Sequence, residues 1–154
     1  MEKQAASALD PYSTVTMEID LMTEKFFAVQ SDFLRRSQES KHILQFLGKI
    51  GLESPSKDSL NRLDPKDLDY LKSHKPVLKK LILTYNQFVD TVRRIISIDM
   101  GEVSAHLAML PNTEEKGYLS LSVGGVIGTM RLSMEAVETT VSHLEQLLFN
   151  LEEL

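Results

Sequence analysis

Towards the C-terminal end, apolar residues recur at Ile127, Met130, Met134, Val137, Val141, Leu144, Leu148 and Leu151. The intervals alternate between three and four. That is the seam of a helix packed lengthwise on other helices. It predicts a helix from near Tyr118 to about Glu152. The stretch from Ser120 to Gly128 fits least well, because glycine costs roughly 1 kcal/mol per residue inside a helix. Gly124, Gly125 and Gly128 all fall there.

Two earlier stretches carry the same period. Tyr12, Val15, Ile19, Met22, Phe26, Val29 and Phe33 step by three and four. The seam turns polar around Arg36, Ser37 and Ser40. It resumes at Ile43, Leu44, Leu47 and Ile50, and Gly48 and Gly51 are stop signals. Asp10-Pro11 starts this first helix: Asp caps an orphan N–H, and Pro suits the first helical position. The second long helix runs from Pro76 through Leu78, Leu81, Ile82, Tyr85, Phe88, Val89, Val92, Ile95 and Ile96. Val103, Leu107 and Leu110 keep the period past Gly101, so it continues, with room to bend, to about Met109. Pro111-Asn112 ends it.

The remaining segments read as connectors. Residues 1–9 have no sustained pattern and form a flexible tail. Residues 53–63 form a loop of turn and cap residues, Ser54-Pro55-Ser56 and Lys57-Asp58-Ser59. Asp64-Pro65 repeats the helix-start signature and opens a short helix with Leu68 and Leu71. Pro76 interrupts it by removing a backbone donor. Thr113 to Gly117 is a short charged connector.

Each long helix holds roughly 35 residues, about 50 Å at 1.5 Å per residue. Matched lengths and short connections favour antiparallel neighbours. The expected fold is all-α: an elongated antiparallel up-down-up bundle of three long helices, with a short additional helix before the second. The 154 residues suit one helical-bundle domain.

Charge adds a pairing rule. The second helix carries Lys79, Lys80, Arg93 and Arg94, and the third carries Glu135, Glu138, Glu145, Glu152 and Glu153. These flanks are expected to face each other. The net charge of −5 argues against a nucleic-acid partner, whose affinity comes from Lys and Arg on phosphates. The cluster Lys72, Lys75, Lys79 and Lys80 reads as a solvated face. There is no cysteine, which rules out disulfides, thiol catalysis and Cys-ligated metals. Met1 to Ala8 lacks the apolar run of a secretory signal, and no window is apolar enough to span a bilayer. The expected location is cytoplasmic.

Candidate chemistry is sparse. The histidines are His42, His74, His106 and His143. A di-iron bundle needs Glu-x-x-His pairs on two helices, and none occurs; Glu102 and His106 form one lone i,i+4 pair. No nucleophile elbow, P-loop, dinucleotide fingerprint or zincin motif is present. No cofactor, metal or enzymatic activity is expected. Gly124-Gly125-x-x-Gly128 lacks the Lys-Ser/Thr of a phosphate loop. It reads as a close-packing or hinge level opposite Gly101, Ser104 and Ala105.

Two features suggest binding. Ser37, Ser40, Asn86 and His143 would lie level with one another, as a polar layer in the core or the wall of a ligand pocket. Phe26 and Phe27 are adjacent and cannot share a seam, so Phe27 leaves it. Leu21 and Leu34 project to a similar flank, and Leu83 and Ile98 lie off the second helix's main stripe. Surplus apolar surface of this kind marks partner sites. The expected function is a non-enzymatic protein–protein interaction module: an adaptor, secretion-type chaperone or structural subunit. It would present an amphipathic helical face to another protein or to its own copy, with a homo-oligomer expected. One alternative is a small-molecule-binding or sensory bundle. Another, not favoured, is a peripheral protein whose amphipathic helices lie on a membrane surface.

Overall fold

The computed structural model of the chain describes residues 10–52 and 54–154. The expected tail, residues 1–9, lies outside them. Helix α1 spans Pro11–Ser37, one 3₁₀ turn spans Gln38–Ser40, and α2 spans Lys41–Ile50. Two short helices follow, α3 at Lys57–Asn61 and α4 at Pro65–Ser73. Helix α5 spans Lys75–Arg94, a π turn spans Ile95–Asp99, and α6 spans Met100–Ala108. Helix α7 spans Glu114–Glu153. The chain is an all-α bundle with no strand among the described residues.

Local chemistry sets most of these boundaries. Asp10 accepts a hydrogen bond from the Ser13 amide at 2.8 Å, which caps α1. Asp64 does the same for α4 through the Lys66 amide. Gly51 takes a left-handed φ of +63° and ends α2, a conformation glycine adopts without a Cβ clash. Pro76 marks a new helix: α4 ends at Ser73, His74 is its C-cap, and α5 opens at Lys75. The polar interruption after Arg36 becomes the 3₁₀ turn.

Three features differ from expectation. Residues 57–61 are helical rather than loop, because Ser56 caps them by accepting from the Ser59 amide and Leu60 anchors them, fully buried. Helix α7 starts at Glu114, four residues early. Thr113 accepts from the Lys116 amide, and Glu114 and Glu115 match the positive helix start. The Lys116 ammonium then donates to the Leu110 carbonyl at 2.9 Å, satisfying an acceptor just past the end of α6. The second long helix is broken by the π turn. Burial steps by three and four up to Ile95 and then jumps five, to Met100. The Met100 amide bonds to the Ile95 carbonyl, the i→i+5 pattern that absorbs the extra residue.

The chain divides into two compact units. One takes in the described residues up to Gln30 together with Asp90–Met134. Glu18 meets His106 and Lys25 meets Asp99, so α1 runs opposite to the π turn and α6. Tyr12 meets Thr113 and Gln30 meets Ser133, so α1 and α7 run the same way. Val15, Ile19, Phe26, Val92, Ile95, Met100, Val103, Val123 and Met130 are buried there.

The other unit comprises Ser31–Val89 and Glu135–Leu154. Its core gathers Ile43, Leu60, Leu71, Leu78, Leu81, Leu144, Leu147 and Leu151. Phe33 packs edge-on to Tyr85 at 4.9 Å and against Phe88 at 4.4 Å. Burial raises the Tyr85 phenol above its ordinary pKa. Lys80 donates to Glu39 at 2.6 Å, and that hydrogen bond and charge hold the Glu39 carboxyl below its usual range. Lys80 thus finds its acid on the 3₁₀ turn, not on α7 as the charge pattern suggested. The α7 seam also shifts here: Leu147 is buried and Leu148 only half-buried. A straight helix drifts by about 20° per heptad relative to a fixed seven-residue repeat.

The glycine level does not pack closely. Helix α7 runs unbroken through Gly124, Gly125 and Gly128. A Cβ added at any of them, or at Gly101, would meet nothing within 4 Å. The glycines therefore destabilise α7 without a compensating contact among the described residues. Gly124→Ala is expected to raise stability by about 0.5–1 kcal/mol, read as a higher midpoint in thermal or urea unfolding. A lower midpoint would mean that the helix is not formed there.

Candidate interaction surface

In the first unit, surplus apolar side chains reach solvent as the off-seam positions require. Leu21, Phe27 and Ile98 are each more than half exposed. They do not share one flank. Six residues separate Leu21 from Phe27, which leaves them about 120° apart around the helix. Ile98 sits in the π turn beside Asp99, whose carboxylate pairs with Lys25 at 2.6 Å.

Phe27 lies at a cleft of about 500 Å³ between α1 and α7. Ile19, Phe26 and Val126 contribute the apolar lining, with Asp20, Phe27 and Gly125 also on the wall. The half-buried Thr23 hydroxyl bonds back to the Ile19 carbonyl at 2.9 Å, so it does not compete for a ligand. The Thr129 hydroxyl is likewise occupied by the Gly125 carbonyl at 2.9 Å. The exposed Asp20 makes no ion pair among the described residues. The cleft is thus apolar, shallow-walled at the glycine and negative at one rim.

A third set of exposed residues escaped the sequence reading. Tyr118, Leu121 and Leu132 on α7 are 61%, 74% and 71% exposed. They lie opposite the buried seam. The signal was present as a second three-four period on the same helix, hidden because two of its positions are glycine.

In the second unit, Leu34 and Leu83 are also more than half exposed, as is Phe149. The four polar residues do not form one buried layer. Ser40 is buried, Ser37 and Asn86 are half-buried, and His143 is exposed. The Ser37 hydroxyl bonds to the Leu34 carbonyl of its own helix at 3.2 Å. His143 instead borders a surface cleft of about 280 Å³ with Leu44 and Thr140. The reason is rotation: Val141 and Leu144 carry the seam, and His143 projects about 160° from the direction of Val141 turned back toward solvent.

Two of the histidines adjoin each other. His42 and His74 lie 5.9 Å apart between ring centroids. His74 Nδ1 sits 2.7 Å from the Tyr70 carbonyl, its ring stacked on Tyr70 at 3.9 Å. Two imidazoles are too few for a tetrahedral site, and Lys41 and Lys75 adjoin them in sequence. Among the described residues no three His, Asp or Glu side chains converge as metal ligands. No described helix is long and apolar enough to cross a membrane. No protein-family model, curated protein or solved structure matches the chain.

Because His143 is exposed, His143→Ala is expected to change stability by no more than about 0.5 kcal/mol. Denaturant unfolding checks this. A loss several times larger would place the imidazole inside a packed layer.

Proposed function

We propose that the chain is a non-enzymatic interaction module that takes an amphipathic helix of another protein into the α1–α7 cleft. One observation carries the reading. Phe27 holds a large aromatic ring, 56% exposed, at an apolar cleft whose opposite wall is bare glycine backbone at Gly125. Helix-in-groove recognition uses such a groove, with partner side chains at i, i+3/i+4 and i+7 as anchors. Asp20 selects a partner with Lys or Arg beside its apolar face. The small-molecule reading loses its support, since Ser37, Ser40, Asn86 and His143 do not enclose a pocket. Adaptor and chaperone roles both use such a groove.

Selection from a library of amphipathic helical peptides tests the proposal. Binders are expected to carry an apolar face flanked by a basic residue. Phe27→Ser should weaken them by at least about 2 kcal/mol, roughly thirty-fold in Kd. Asp20→Lys should weaken them further and select acidic flanks. Peptides that bind equally well to Phe27→Ser, or no binders at all, would overturn it.

A further inference from the structure

The outward side of α7 carries its own helical seam. Tyr118, Leu121, Gly125, Gly128 and Leu132 step by three, four, three and four, so they share one face. That face looks away from the buried Val123 and Met130. No charged residue occurs from Gly117 to Met130. Leu121 and Leu132 are among the most exposed apolar side chains described. The two glycines between them lower helix stability, and among the described residues nothing lies within 4 Å of a Cβ placed on either. A bare helix backbone flanked by solvent-exposed leucines is what a second helix needs for close approach.

We infer that this face pairs with α7 of a second copy of the chain, antiparallel. The order of residues is the reason. Leucine, glycine, glycine, leucine reads the same from either end. Turning α7 end for end about the midpoint of Val126 and Ile127 puts Leu121 on Leu132 of the second copy and Gly125 on its Gly128. An isologous twofold contact requires such self-complementarity. The same operation sets Tyr118 opposite Glu135. In the single chain the Tyr118 hydroxyl donates to Glu114 at 2.8 Å, and it exchanges that carboxylate for Glu135 across the pair. Parallel pairing would instead set Glu135 against Glu135 in the seam, a like-charge contact. Charge therefore favours the antiparallel arrangement. A seam from one helix, roughly 21 Å long, belongs at the low end of interface sizes, so the association is weak and concentration-dependent. This pairing does not rest on the helix-binding reading of the cleft. The two surfaces share Gly125, but Phe27 belongs to the cleft and Leu121 and Leu132 to the seam.

Sedimentation of the full chain across low to hundreds of micromolar, with circular dichroism to confirm folding, tests the inference. A monomer–dimer equilibrium is expected. Leu121→Glu and Leu132→Glu should each abolish it while keeping helicity, and Phe27→Ser should leave it intact. The absence of native cysteine allows a second readout. A mixture of Leu121→Cys and Leu132→Cys chains should oxidise to a mixed disulfide more readily than either chain alone. A strict monomer at hundreds of micromolar, a dimer indifferent to Leu121→Glu, or Leu121→Cys chains that cross-link best with themselves would each overturn it.

Discussion

One helix has to serve two cores. Helix α7 runs unbroken over 40 residues. Its buried side supplies Val123 and Met130 to one compact unit and Val141, Leu144, Leu147 and Leu151 to the other. Burial of a large apolar side chain is worth about 1.5–3 kcal/mol, so this single seam carries much of the stability of both units. Everything else adapts to it. The first stretch breaks into α1 and α2 through a 3₁₀ turn, and the second absorbs an extra residue in a π turn. The irregularities fall on α7's partners, not on α7.

The same constraint leaves α7's other side uncommitted. A helix buried along one stripe has about half its circumference to spend on solvent or on partners. Here that half is uncharged from Gly117 to Met130 and carries leucine, tyrosine and bare glycine rather than the usual Lys and Glu. The α1–α7 cleft is the border of this surface within one unit. Its functional interest comes from what is missing: Gly125 leaves room, and Asp20 has no cation among the described residues.

Much of the fold was legible because helix caps and seams are local. Asp10-Pro11, Asp64-Pro65 and Gly51 announce their boundaries in two or three residues. The exposure of Leu21, Phe27, Leu34, Leu83 and Ile98 was legible too, since each lies off a well-marked stripe. What stayed hidden depends on long-range geometry. The π turn shows only as a five-residue jump from Ile95 to Met100, which Ile96 and Ile98 mask by being apolar. The polar layer does not form because levelling residues by height ignores rotation: Val141 and Leu144 are buried, and His143 between them is exposed. Gly124, Gly125 and Gly128 suggested close packing, but glycine spacing does not say which side of the helix a neighbour occupies.

The claim on which the rest depends is that α7 is one continuous helix through its glycines, with its seam inward and its leucines outward. Native-state hydrogen exchange of the amides from Leu121 to Thr129 tests it most directly. The account predicts slow exchange throughout, with protection close to that of Val141 to Leu147. Rapid exchange confined to Gly124–Gly128 would contradict it, by making that stretch a loop between two shorter helices.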